Sequence, residues 1–145
     1  MIRIEKQIPG QNGCIPVCAR AVLRVRGLTA PSEKALTDVM RRDAVPGESG
    51  FEMLNRSLRT LGVGAAFTIF KPNRSDLLDE LNMHFREQRP VLFPHFVAQN
   101  LFHCIVVTRF RGLEIECHDP ATGLSDYRET SSLVGIWSGD LAVLH

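Results

Sequence analysis

"QNGCIPVCARAVL", residues 11–23, sets two cysteines four positions apart, with Pro16 between them, at the head of a run of apolar residues. Pro16 suits a first helical turn, where its missing N–H forfeits no hydrogen bond and its φ is already helical. Val17, Cys18, Ala21, Val22 and Val25 then recur at helical spacing until Gly27 supplies a stop. The spacing predicts a helix over 15–26 with Cys14 at its mouth. A thiol in that place meets unpaired backbone N–H groups and the positive end of the helix dipole, both of which favour thiolate. Cys18, one turn further on, falls on the inner face and reads as a packing residue.

Beyond this helix the pattern stays helical for half the chain. Ser32 can cap a second helix carrying Leu36, Val39 and Met40, and Ser49 or Gly50 opens a third with Phe51, Leu54, Leu58 and Leu61, closed by Gly62. The short apolar run "AAFTIF" (65–70) precedes a fourth helical stretch over 75–88 that presents Leu77, Leu78, Leu81 and Phe85. Then the period changes. "PVLFPHF" (90–96), "FHCIVVTRF" (102–110) and "LEIECHD" (113–119) are rich in β-branched and aromatic residues, and "RFRGLE" reads as a tight hairpin around Gly112. "DPATG" (119–123) is a turn, "DLAVLH" (140–145) a last strand, and Trp137 a core aromatic at its base. The expected fold class is α+β, with helices in the N-terminal half, an antiparallel sheet in the C-terminal half and a cleft between them.

Composition narrows what such a fold can do. A chain of 145 residues with 44% hydrophobic content suits one domain spanning 1–145 around one core. Lys and Arg number 17 against 16 Asp and Glu, interspersed, which argues against a nucleic-acid partner. "MIRIEKQIPG" lacks the apolar centre of a signal peptide, and no window approaches the roughly 18 apolar residues of a membrane span, so synthesis in the cytoplasm is expected. In that reducing compartment the four cysteines should be free, metal-bound or catalytic rather than disulfide-bonded. Zinc could draw on Cys14, Cys18, His103 and Cys104 or Cys117, but strand alternation points His103 and Cys104 to opposite faces and leaves no second ligand pair. Neither a metal nor a cofactor is expected.

A thiol nucleophile needs a base and a group that orients the base. His103 begins one strand, and Asp119 ends the strand hairpinned to it, where a carboxylate can accept from the imidazole and hold its tautomer. Alternation excludes His118 from acting alongside Asp119. The oxyanion formed during attack needs a donor besides the Cys14 amide, and a glutamine upstream of the cysteine could serve. Gln7 and Gln11 are both available.

The order Gln, Cys opening a helix, His starting a strand and Asp-Pro after the next strand resembles the papain-like cysteine peptidases. More narrowly it resembles the double-glycine leader peptidases, the processing domains of bacteriocin-exporting ABC transporters. That family's N-terminal motif, roughly Gln, a short gap, Cys-Gly-Pro and a second Cys, stands here as "QIPGQNGCIPVC" (7–18). Its later His with β-branched residues, Asp-Pro-Ala-x-Gly and Trp-x-Gly stand as "HCIVV" (103–107), "DPATG" (119–123) and "WSG" (137–139). The resemblance implies a papain-like fold in which Cys14 is the nucleophile, His103 the base, Asp119 the orienting carboxylate and Gln7 the oxyanion donor, cutting peptide bonds after Gly-Gly. Ile15 replaces the family's glycine, Gln7 lies one residue farther from the cysteine than in the family, so that Gln11 competes with it, and no transporter segment accompanies the motifs. Two roles fit: a stand-alone peptidase for bacteriocin-like leaders, or an effector toxin delivered into another cell without a signal peptide and countered by an immunity protein. Papain-like sites also perform deamidation and transglutamination, and some papain-like toxins are thought to attack RNA. A non-enzymatic leader-binding domain would keep the fold without needing the intact Cys14, His103 and Asp119.

Overall fold

A computed structural model describes residues 2–145. The first helix, α1 (Cys14–Val25), is followed by α2 (Glu33–Arg42) and α3 (Gly50–Thr60), whose N-termini are capped by Ser32 and Ser49 hydroxyls accepting from Ala35 N and Glu52 N. A strand β1 (Phe67–Phe70) leads through a single 3₁₀ turn (Arg74–Asp76) into α4 (Leu77–Arg86). Then come β2 (Val91–Ala98), β3 (Leu101–Arg111), β4 (Glu114–Asp119), β5 (Leu124–Glu129), α5 (Thr130–Ile136) and β6 (Leu141–Leu144). The strands form one antiparallel sheet in the order β1-β6-β2-β3-β4-β5.

Side-chain alternation splits the interior in two. Leu92, Cys104, Val106, Ala142 and Leu144 pack under α1, α2 and α3 on one face. Val91, Phe93, Ile105, Val107, Ile115, Cys117 and Val143 pack with α4, Leu133 and Trp137 on the other. The fold class is the α+β arrangement read from the sequence, but its halves are less segregated than expected. "AAFTIF" supplies a strand, β1, which joins the sheet by pairing Phe67 with Leu144 and Phe70 with Leu141. The fourth helical stretch starts in the 3₁₀ turn and reaches α-geometry only at Leu77. Two elements had no sequence signal: β5, "LSDYRE", is a mostly exposed edge strand without apolar alternation, and α5, "TSSLVGI", buries only Leu133.

Among the described residues no helix is long and apolar enough to cross a membrane. All four cysteines are free.

Candidate active site

Cys14 is the first residue of α1, and its N-cap, Gly13, has no side chain to claim the helix's first N–H groups. The preceding loop is held from outside. Gln7 N–H donates to Pro120 O at 2.7 Å, Ile8 N–H is shared by both carboxylate oxygens of buried Glu33 at 3.1 and 2.9 Å, and Arg41 donates to Gln11 O at 2.9 Å. A Cβ on Gly13 would stand 2.1 Å from Glu33 Oε2, so glycine is what lets α2 approach this close. The loop turns through left-handed Gly10 and Asn12, at φ 76° and 50°.

Across the cleft, His103 Nε2–H donates to Asp119 Oδ1 at 2.7 Å. Asp119 sits where β4 meets the "DPATG" turn; Oδ1 also accepts from Ala121 N–H at 2.9 Å, and Oδ2 from Arg128 at 2.7 Å. With Nε2 engaged, the ring's hydrogen bond to Cys14 leaves through Nδ1. The Asp119 bond, then the Cys14 bond, lift His103 from 6.5 to about 9 against the effect of burial. Burial pushes the Cys14 thiol up, but the His103 bond, its positive charge and backbone hydrogen bonds from Cys104 and Ile15 carry it below its ordinary value. Asp119 is likewise pushed up by burial, yet His103 and Arg128 hold it well below the usual carboxylate range. Both shifts run in the direction that favours a thiolate beside an imidazolium.

The three other cysteines differ in kind. Burial drives Cys18 well above the ordinary thiol value, raises Cys104, and brings Cys117 to about 12. Cys18 and Cys104 lie inside the first core, Sγ of Cys18 reaching Cys104 O at 3.4 Å. Among the described residues no three His, Cys, Asp or Glu side chains gather closely enough to hold a metal ion.

Gln7, Cys14, His103 and Asp119 line one cleft of about 430 Å³, together with Asn12, His95, Val97, Leu101, Phe102, Ala121 and Arg128. The structure brings Gln7, not Gln11, to this cleft, and the Gln7 Oε1 is buried without a partner. Ile15 points the other way, its Cδ1 close enough to Gly50 that a Cβ there would lie at 2.6 Å. It lines a second cavity of about 570 Å³ with Ser49, Gly50, Phe102 and Asp140, and Phe102 borders both cavities.

Two titratable cleft residues escaped the sequence reading. Arg128 belongs to the unforeseen β5. His95 stands opposite His103 in the β2–β3 register, the rings edge to face at 5.6 Å. Its Nδ1–H donates to Phe96 O at 3.2 Å, and burial, then the neighbouring His103 charge, keep it neutral by lowering its pKa. "PHF" across from "FHC" was the available signal, readable only once the strands are in register.

No family model matches the sequence, and no curated protein matches it. Solved structures do. The peptidase domain of Streptococcus ComA, a bi-functional ABC transporter of a quorum-sensing pathway, is 16% identical and superposes with a TM-score of 0.75 over 99% of this chain and 98% of that one. A double glycine motif protease from an AMS/PCAT transporter, solved with its leader peptide, is 16% identical with a TM-score of 0.68 over 99% and 91%. A protein of Bacillus anthracis described as a C39-like peptidase is 13% identical with a TM-score of 0.74 over 99% and 94%. The chain therefore has the papain-like fold of the double-glycine peptidase domains, end to end.

Proposed function

We propose that this protein is a cysteine endopeptidase in which Cys14, His103, Asp119 and Gln7 carry the chemistry. One observation supports it above the rest: a thiol at a helix N-terminus and an imidazole anchored to a buried carboxylate face each other in an open cleft, the thiol shifted down and the imidazole shifted up. An inert structural cysteine has no use for that arrangement.

The Cys14 thiolate attacks a peptide carbonyl, and its electron pair moves onto the oxygen. The Cys14 N–H and the Gln7 amide nitrogen donate to that oxyanion. As the tetrahedral intermediate collapses, His103 Nδ1–H protonates the departing amine, leaving a thioester on Sγ. The now neutral imidazole takes a proton from water, hydroxide attacks the thioester, and the acid leaves with Cys14 restored as thiolate beside imidazolium. Asp119 holds the ring through both steps without itself taking a proton.

For substrate, the proposal is a peptide or protein cut after small residues, Gly-Gly above all. That extends to this chain the character of one structural neighbour, a double glycine motif protease bound to a leader peptide. The test is digestion of a cell lysate by wild type and Cys14→Ala, with mapping of new peptide N-termini. New ends after small residues in the wild type alone support the proposal; deamidated glutamine as the only product rejects it.

A further inference from the structure

We infer that this enzyme selects an aliphatic or aromatic residue immediately after the scissile bond, through a wall formed by Val97 and Leu101 at the tip of the β2–β3 hairpin; this rests on the peptidase reading above. The direction of the substrate follows from the chemistry. The departing amine takes its proton from His103, so the chain beyond the cut leaves past the imidazole, through the cleft that His103 and Gln7 line. The acyl half stays on Cys14 and extends past Ile15, into the cavity bordered by Gly50 and Asp140. Phe102 stands where the two meet.

On the leaving side the cleft offers apolar surface and no free charge. Val97 is 54% and Leu101 57% exposed, and both line this cleft. Exposed aliphatic side chains gathered at the mouth of a reactive cleft mark a contact surface. The charged residues there are engaged: Asp119 by His103 and Arg128, and Arg128 by Asp119 and Asp126. His95 is neutral and buried, its Nε2 without a partner. An acidic or basic side chain after the cut would be desolvated there without a free countercharge, whereas an apolar one covers Val97 and Leu101. The wall is preformed, because Phe96 and Phe102 stack at 4.6 Å across the hairpin and a bulge between Phe96 and Ala98 sets its tip.

A lysate-derived peptide library with blocked amines, digested by wild type and by the Val97→Ser/Leu101→Ser variant, tests this by the residues on each side of every cut. In the wild type Leu, Ile, Val, Met and Phe should be enriched after the cut about tenfold over Asp, Glu and Lys, the scale of a small apolar pocket. In the variant that enrichment should fall to about twofold, with the residues before the cut unchanged. Leu101→Glu, at an exposed position, should instead bring Lys and Arg forward after the cut. No enrichment in the wild type, or the same enrichment in both variants, overturns the inference and leaves the peptidase standing. No cuts by the wild type, while Cys14 still alkylates first, overturns both.

Discussion

Asp119→Asn keeps the shape of the side chain and removes its charge. The amide oxygen can still accept from His103 Nε2–H and Ala121 N–H, which both converge on Oδ1 in the wild type. Its NH₂ then faces the Arg128 guanidinium, donor against donor, in place of a 2.7 Å ion pair. His103 therefore stays near its position but loses its countercharge. The rise of His103 from 6.5 to about 9 corresponds to about 3 kcal/mol of preference for imidazolium, with Asp119 as its largest cause. Losing about 2 kcal/mol of that preference lowers the equilibrium constant for the thiolate–imidazolium pair about 30-fold. Looser ring orientation brings the expected loss in kcat/KM to about 100-fold. Peptide cleavage measures the loss, and the pH profile of Cys14 alkylation by iodoacetamide tests its cause. The wild-type rate should rise below pH 9, the ordinary thiol value; the variant's midpoint should move up toward it. A variant that melts earlier yet keeps its alkylation profile and kcat/KM would refute this reasoning and leave Asp119 as a turn residue tied to Ala121.

Brief alkylation at neutral pH followed by peptide mapping should find Cys14 labelled first; equal labelling of Cys18, Cys104 or Cys117 in a folded, active sample would contradict their burial. Gln7→Ala should lower kcat about 10²- to 10³-fold, as removal of one oxyanion donor does. Gln11→Ala, outside the cleft, should leave kcat/KM within about twofold, since only its backbone carbonyl is bonded, to Arg41. Melting temperature against pH checks the ion pair itself. In the wild type the lowered Cys14 gains stability with rising pH where the raised His103 loses it, so their contributions to pH dependence oppose each other below pH 9. In Cys14→Ala only the raised His103 remains, still bonded to Asp119; its stabilisation is complete below pH 6.5 and is lost as pH rises through its folded value, so the variant's melting temperature should fall over that range while the wild type's stays flatter. Truncation after residue 140 should abolish the preference of iodoacetamide for Cys14, because it removes β6 from the middle of the sheet.

What could be read in the sequence was local. Pro16 and the spacing of Val17, Cys18, Ala21 and Val22 report the start and inner face of α1, and they place Cys14 within one residue of its observed position. "FHCIVV" and "LEIECHD" with Gly112 between them report a hairpin, and the hairpin brings His103 to Asp119. What stayed hidden depends on partners far away in the chain. β1 is a strand because β6 lies beside it, its nearest pair, Phe70 and Leu141, being 71 positions apart, and its four residues carry no period of their own. Arg128 reaches Asp119 only because β5 pairs with β4, although its segment is polar and mostly exposed. His95 needed the β2–β3 register to be seen. The choice between Gln7 and Gln11 turned on tertiary holds on the loop, through Pro120, Glu33 and Arg41.

The interior strand β6 has a consequence in time. It lies between β1 and β2, so the sheet that carries His103 cannot close until Leu141–Leu144 exist, whereas Cys14 is made 127 residues before Leu141. At about 5–20 residues per second, a growing chain carries Cys14 for on the order of ten seconds before that strand is synthesised. Throughout that interval the cysteine lacks its finished sheet and remains an ordinary thiol on a nascent chain. On the peptidase reading, the order of the elements works as a delay, withholding cleavage on the ribosome until synthesis has passed Leu141–Leu144.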